Sequence, residues 1–249
     1  MFPLKDNIPT EKFPVVTVTL IVLNVLAYFL WQRGGLTLGD PSSQHYYDNL
    51  VRYSELPFEV THPGQQCIPA NSETFECAKS YGAQYNLPPT YLTVFTAMFM
   101  HGGLLHLGGN MLFLWIFGNN VEDYLSKIGF VVFYLFTGVV AGAVHVLSDP
   151  GSTTPVVGAS GAIAGVMGMY LVLWPRARVL TIVPLVLFFA VYLPASVVLL
   201  AWFGLQFLTS PSSGVAWVAH VGGFLAGALV GALLRQIKPP RRLGVSSTG

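Results

Sequence analysis

Charge is what this sequence has least of. Asp, Glu, Lys and Arg make up 9% of its 249 residues, against about 25% in a soluble globular domain. With 53% hydrophobic residues, there is too little polar surface to cover a water-exposed fold, and a membrane protein is the class that remains. The net charge of +1 leaves no basic surface to meet phosphates, which excludes a nucleic-acid partner. Two cysteines, Cys67 and Cys77, are too few for a disulfide scaffold. There is no His-Glu-x-x-His, and the spacing of His101 and His106 does not put two ligands on one helical face, so neither a metal nor another cofactor is expected. The first apolar run is long enough to stay in the membrane, so no separate cleaved leader is expected either.

What the chain does have is long apolar runs. A membrane span needs roughly 20 mostly apolar residues. Residues 13–31 qualify directly, and 92–118 qualify with His101, Gly102, Gly103, His106 and Asn110 inside them. The remaining runs are 128–147, the shorter 159–174, 179–208 with Pro184 and Pro194, and 215–234. The expected fold is an all-α membrane protein, a six-transmembrane-helix bundle over residues 13–235 with a short, submerged fourth helix. Residues 1–12 form an N-terminal segment, and the polar, proline-rich end within 236–249 reads as a disordered tail.

Lys and Arg set the orientation. Nine fall on the side of the two termini: Lys5, Lys12, Lys127, Arg176, Arg178, Arg235, Lys238, Arg241 and Arg242. Three, Arg33, Arg52 and Lys79, fall on the other. This imbalance predicts a multi-pass protein, in the cell membrane, with both termini cytoplasmic. The long loop 33–90 then faces outward. It carries both cysteines in a compartment that permits disulfides, either as a Cys67–Cys77 bridge or as two free thiols.

All eleven acidic residues lie outside these spans, so no carboxylate is expected to be buried in the bundle. The polar residues inside it are His101, His106, Asn110, His145, Ser160 and His220. The second, fourth and sixth helices all enter from the outer side, and His106, Asn110, Ser160 and His220 each lie near the entry end. Three segments read independently therefore place polar groups at one depth. His106 and Asn110 are i and i+4, about 40° apart around a helix, and share a face. His101 and His106 are about 140° apart, so His101 is expected to cap the helix or sit at the interface; His145, toward the outer end of the third helix, is expected to be interfacial, with the role of base as its rival reading.

Residues 155–165 read PVVGASGAIAG, a lone serine among small residues. The 16 residues of 159–174 make a helix of about 24 Å against a core of about 30 Å. With its inner end set by Trp174, Pro175 and Arg176, its outer end stops below the membrane surface and submerges Ser160 at a helix N-terminus. Irregular backbone at that depth needs protein or a wet cavity around it, so residues 149–158 should dip inward. Gly161 and Gly165, with Gly223, Gly227 and Gly231, form small-xxx-small ridges for close helix crossing. Their contact would bring Ser160 to His220, three residues before Gly223.

A serine hydroxyl becomes a nucleophile when a base takes its proton. His220 is the candidate base, with no buried Asp behind it, and His106, Asn110 and the Ser160 backbone N–H are candidate oxyanion donors. These are the parts of acyl transfer, and the reaction expected is peptide-bond hydrolysis in the outer half of the membrane.

HGGLLHLGGN (101–110), GNNVED (118–123), GASGAIAG (158–165) and AHVGGFLAG (219–227) together resemble the rhomboid intramembrane serine proteases, as does the N-terminal KDNIPT. The resemblance implies a dyad of Ser160 and His220, with His106 and Asn110 at the oxyanion hole; Gly158, Gly161, Gly165, Gly223 and Gly227 are expected to pack the helices at the dyad. It implies single-span membrane proteins as substrates, reached through the lipid bilayer, and a lateral gate at the fifth helix and following loop, here 194–213. Many members carry a Trp-Arg pair in the first outer loop, whereas residues 33–90 contain none. A transporter is disfavoured by the lack of charged groups in the spans and of internal repeats. The competing reading is a catalytically inactive rhomboid-like protein that binds membrane clients, although such relatives typically lack a dyad residue and this chain has both.

Overall fold

The computed structural model describes residues 2–36, 38, 43–69, 75–84, 86–184, 188–208 and 216–240. Strand β1 (Phe2–Asp6) precedes α1 (Val15–Leu26), which runs on through a π-type turn to Trp31. The long connection that follows holds α2 (Gln44–Tyr53), α3 (Pro57–Thr61), β2 (Gln66–Pro69), β3 (Phe75–Ala78) and α4 (Tyr81–Gln84). Next come α5 (Thr90–Thr96), then α6 (Leu104–Phe113), which passes through a π-type turn into α7 (Asn119–Leu125). The rest is α8 (Lys127–Ser148), α9 (Ser160–Leu173), β4 (Arg178–Pro184), β5 (Phe188–Pro194), α10 (Ala195–Gln206) and α11 (Trp217–Ile237). Helices α8 and α11, of 22 and 21 residues, are each long and apolar enough to cross a membrane alone.

Helix α9 is the centre. Its 14 residues span about 21 Å, and nearly all of them are buried against α6, α8, α10 and α11. Its composition permits this, because glycine and alanine let backbones approach. A Cβ on Gly223 would fall on the Gly161 carbonyl, and one on Gly227 on the Gly165 carbonyl. On the α8 side, a Cβ on Gly161 would lie 2.6 Å from that of Ala141.

The expected fifth span is corrected in its first half. Residues Arg178–Pro184 and Phe188–Pro194 are antiparallel strands, with β1 on the far edge in the order β1-β4-β5. Proline inside a helix removes a hydrogen bond and clashes with the preceding turn, but at a strand end it costs no ladder bond. The helix begins only after Pro194. The fold is therefore helical with two small sheets, not all-α.

One end of the molecule gathers the basic connections. Beyond the β1–β4 pairing, the Arg178 N–H donates to Asn7 Oδ1 (2.7 Å), and the Glu11 N–H to Asp123 (3.0 Å). Lys238 Nζ donates to the Tyr124 carbonyl (2.6 Å), and Arg235 donates to the Val172 carbonyl (2.8 Å). The N-terminal segment, the end of α7, the exit of α9 and the end of α11 thus share a face. Residues 241–249 of the expected tail lie outside the described residues.

The expectation of no buried carboxylate is also corrected. Asp6, Glu55, Glu59 and Glu122 are 4–8% exposed. They lie outside the apolar runs, but neighbouring segments fold back over them. Glu122 replaces a missing cap: Pro14 offers no capping side chain to α1, and the Glu122 carboxylate accepts from the Val16 N–H (3.0 Å), the Thr17 N–H (2.7 Å) and the Thr17 hydroxyl (2.8 Å). Glu122→Ala would orphan all three donors and is expected to cost about 3 kcal/mol, read as a lowered thermal midpoint in detergent.

At the opposite end, the long connection between α1 and α5 is built rather than loose. A disulfide joins Cys67 and Cys77, paired directly across β2 and β3, and the Cys67 N–H donates to Glu59 (2.8 Å). Glu55 and Val156 exchange backbone hydrogen bonds of 3.0 and 2.9 Å, clamping this region to the segment that leads into Ser160.

Candidate active site

Gly158 sets the entry to α9. Its φ of +129° is open to glycine and strained for other residues, and its N–H donates to the Ala97 carbonyl (2.9 Å). The first helical bond runs from the Ile163 N–H to the Ala159 carbonyl (3.0 Å). The N–H groups of Ser160, Gly161 and Ala162 precede it and have no partner within the helix.

His220, one turn into α11, meets the serine: its Nε2 is 2.7 Å from Ser160 Oγ. Its Nδ1 is 2.8 Å from Oε1 of Gln206, the last residue of α10. Gln206 Nε2 donates to the Trp202 carbonyl (3.1 Å), which turns the amide oxygen toward the imidazole. Nδ1 of His220 is thus the protonated nitrogen, and Nε2 carries the lone pair that accepts from the serine hydroxyl. The Trp202 ring lies 5.7 Å from the His220 ring and walls it from the other side.

His106 arrives from α6. A Cβ placed on Gly158 would be 2.9 Å from His106 Nε2 and 3.3 Å from Ser160 Oγ, so the two groups flank one small space. The Gly102 N–H points at His106 Nδ1 (3.2 Å), making that nitrogen the acceptor and Nε2 the N–H that faces the serine. Asn110, one turn further along, is buried, and its Nδ2 has no hydrogen-bond partner among the described residues.

The other two histidines border the site without touching the serine. His101 neither caps α6 nor lies at an interface; it is fully buried, its ring edge-on to that of His106 at 5.2 Å, with Gln32 and Tyr46 holding its backbone. The chain turns inward at 101–103 before α6 begins, which the helical spacing alone does not reveal. His145 is half-buried on α8, near enough to His220 for their charges to interact.

Two residues escaped the sequence reading. Gln206 was legible as a lone amide near the outer end of the fifth apolar run. Glu55 was not, because nothing local ties residue 55 to residue 160. Gln206 reaches the site through His220, and Glu55 lines a cavity beside Ser160 together with Met98, Gly138, Gly142 and Gly158.

Burial pushes the Glu55 carboxyl up to about 7. The native state therefore holds a proton that the unfolded chain has released above about pH 4.5, and stability falls as pH rises through 7. The cost of ionising the buried group is roughly 3 kcal/mol when complete. Glu55→Gln is expected to melt above wild type at pH 8 and close to it at pH 5; equal midpoints at both would mean that this carboxyl is solvated.

Residues 88–237 match the model of the Rhomboid domain. The chain is 42% identical over 91 residues to rhomboid-like protein 11, chloroplastic, of Arabidopsis thaliana, covering 36% of this chain and 32% of that protein. It is 32% identical over 155 residues to rhomboid protein 1, mitochondrial, of Saccharomyces cerevisiae, covering 56% and 41%. Rhomboid protease GluP of Bacillus subtilis is 27% identical over 172 residues, covering 67% and 31%. The matched stretches thus make up less than half the length of each of these relatives.

Proposed function

The chain belongs to the rhomboid family and is an integral, helical membrane protein; from this membership we propose that it is an active serine endopeptidase. Its reaction is hydrolysis of peptide bonds in or near the transmembrane helices of single-span membrane proteins. The observation that carries the reading is the chain Gln206 Oε1, His220, Ser160 Oγ, with links of 2.8 and 2.7 Å. It is the hydrogen-bonding order a serine nucleophile requires.

In the proposed mechanism, the Ser160 hydroxyl gives its proton to His220 Nε2 as Oγ attacks the scissile carbonyl. The imidazolium that forms keeps its Nδ1–H on the Gln206 amide oxygen, so a neutral amide does here what a carboxylate does in a triad. Negative charge gathers on the carbonyl oxygen and is met by His106 Nε2–H, Asn110 Nδ2–H and the Ser160 N–H at the positive end of α9. The unpaired state of Asn110 Nδ2 supports this, since a donor waiting for an oxyanion has no ground-state partner. His220 then protonates the departing amine. Water repeats the sequence to release the acyl group, entering from the outer side.

The basic face and the site lie at opposite ends of the fold, which supports six spans with both termini in the cytoplasm and a site in the outer half of the bilayer. The Cys67–Cys77 bridge suits an oxidising exterior, and the cell membrane is the proposed location. Substrate enters laterally past α10; residues 209–213 of the expected gate lie outside the described residues.

The test is labelling of the detergent-purified protein with a fluorophosphonate, followed by incubation with a single-span substrate. Labelling on the Ser160 peptide together with cleavage is the expected result. A folded protein that neither labels nor cleaves would instead be an inactive, client-binding relative.

A further inference from the structure

Strand β5 has no role in the chemistry above, and only part of it is covered. In an antiparallel sheet, residues directly opposite one another share a face. Val179 pairs with Leu193, Thr181 with Val191 and Val183 with Phe189, so these six lie on one side of the hairpin. On β4 that side meets the bundle: Val179 and Thr181 are fully buried, and Val179 belongs to the core that surrounds α9. On β5 the same side is uncovered by degrees. Leu193 still packs against the core, Val191 is 39% exposed and Phe189 is 61% exposed. The strand thus runs off the edge of the bundle, away from its entry into α10. At that entry the Ala195 and Ser196 N–H groups donate to the Ala177 and Pro175 carbonyls (2.7 and 3.0 Å).

What lies beside the bundle of an integral membrane protein is lipid, and two features set the depth. Among the described residues no further strand covers β5. Its outer edge therefore presents backbone N–H and C=O groups, which the hydrocarbon core does not tolerate. Yet Phe189 and Val191 are apolar and would be poorly placed in water. The headgroup boundary meets both demands. The other side of the sheet agrees with that depth. Lys5, Leu180 and Tyr192 form one cross-strand row, with Arg178 two residues from Leu180, and Lys5, Arg178 and Tyr192 are exposed. Tyrosine suits the interface, and cations at that level attract lipid phosphates. The one acid in the three strands, Asp6, faces the other way, onto Asn120 and Tyr170.

We infer that β5 is an in-plane membrane anchor: Phe189 and Val191 dip into the acyl boundary of the adjoining leaflet, while Lys5 and Arg178 gather anionic phospholipids beside it. The inference needs membrane insertion alone and is independent of the protease reading. Its consequence is that the end of α10 remote from Gln206 is tied to the bilayer.

Cys67 and Cys77 are joined to each other and are the only cysteines, so a newly introduced cysteine alone takes a thiol-reactive fluorophore. Phe189→Cys and Tyr192→Cys replace exposed side chains, and Val191→Cys stands in if Phe189→Cys does not fold. Each labelled full-length protein is placed in bilayers of phosphatidylcholine and phosphatidylglycerol, with bromine on the acyl chains of one lipid or the other. The label at 189 is expected to be quenched by brominated lipid and shielded from iodide, and the label at 192 to show the reverse. Quenching at 189 is expected to report a local excess of phosphatidylglycerol of about fivefold, which Lys5→Gln combined with Arg178→Gln removes. A position 189 untouched by brominated lipid overturns the inference, whether iodide reaches it from water or a second protein copy covers it. Equal lipid quenching at 189 and 192 overturns it as well, by sinking the strand in hydrocarbon. Equal quenching by the two lipids overturns the anionic partner.

Discussion

His220→Ala is expected to lower cleavage of a transmembrane substrate by about a thousandfold or more, and Ser160→Ala to do the same. The double variant should be no worse than either, because the two groups act on one proton. Without His220, the Ser160 hydroxyl keeps its proton at neutral pH and has no acceptor at 2.7 Å. The oxyanion donors remain, so a residual rate above background is expected from them alone. Gln206 separates positioning from chemistry. Gln206→Leu leaves Nε2 in place but removes the acceptor that fixes the tautomer and steadies the imidazolium, a loss of about tenfold to a hundredfold in kcat. Gln206→Glu restores the acceptor and should recover most of it. A Gln206→Leu variant with wild-type kcat would mean that packing against Trp202 alone orients His220, and an active His220→Ala would transfer the role of base to His145.

Gly227→Val is expected to prevent assembly of the fold. The new Cβ would fall on the Gly165 backbone carbonyl, and backbone cannot rotate aside as a side chain tip does. Helices α9 and α11 would have to part along their length, undoing the contact that also holds Ser160 against His220. The expected penalty exceeds about 4 kcal/mol, enough to leave little monodisperse protein after size-exclusion chromatography. Two other glycines calibrate the result. Gly231→Ala meets only Met169, with its nearest atoms at 3.2 Å, and should cost a few degrees in melting temperature. Gly109→Ala meets nothing within 4 Å and should be neutral or slightly stabilising, since alanine is the better helix former. If Gly227→Val folds and melts like Gly231→Ala, the close crossing does not hold the core together.

Much of this was legible in one dimension because the relevant signals are local. Apolar length marks candidate spans, Lys and Arg placement marks their sides, and a four-residue spacing marks a shared helix face. Small residues at intervals of four mark the α9 and α11 ridges. Those rules placed Ser160, His220, His106 and Asn110 at one depth on three segments. The short α9, 14 residues long with Ser160 at its start, also followed from counting residues.

Other features depend on which segments return to which neighbour, and no local pattern carries that information. The run from Val179 reads as helix by hydropathy; it becomes strand because β1, from the other end of the chain, lies beside it and takes its hydrogen bonds. Glu122 and Asp6 look like surface acids, and become buried partners once α1 docks on the first and the Tyr170 hydroxyl of α9 donates to the second (2.6 Å). Glu55 sits in an outer connection whose sequence names no destination, and only its backbone exchange with Val156 sets it beside Ser160. The sequence by itself determined the membrane class and offered the residues proposed here as nucleophile and base, since each depends on residue type and spacing. Tertiary structure alone decided which acceptor orients the base and which carboxyl borders the cavity, because hydrogen bonds are made over about 3 Å between residues that the chain keeps far apart.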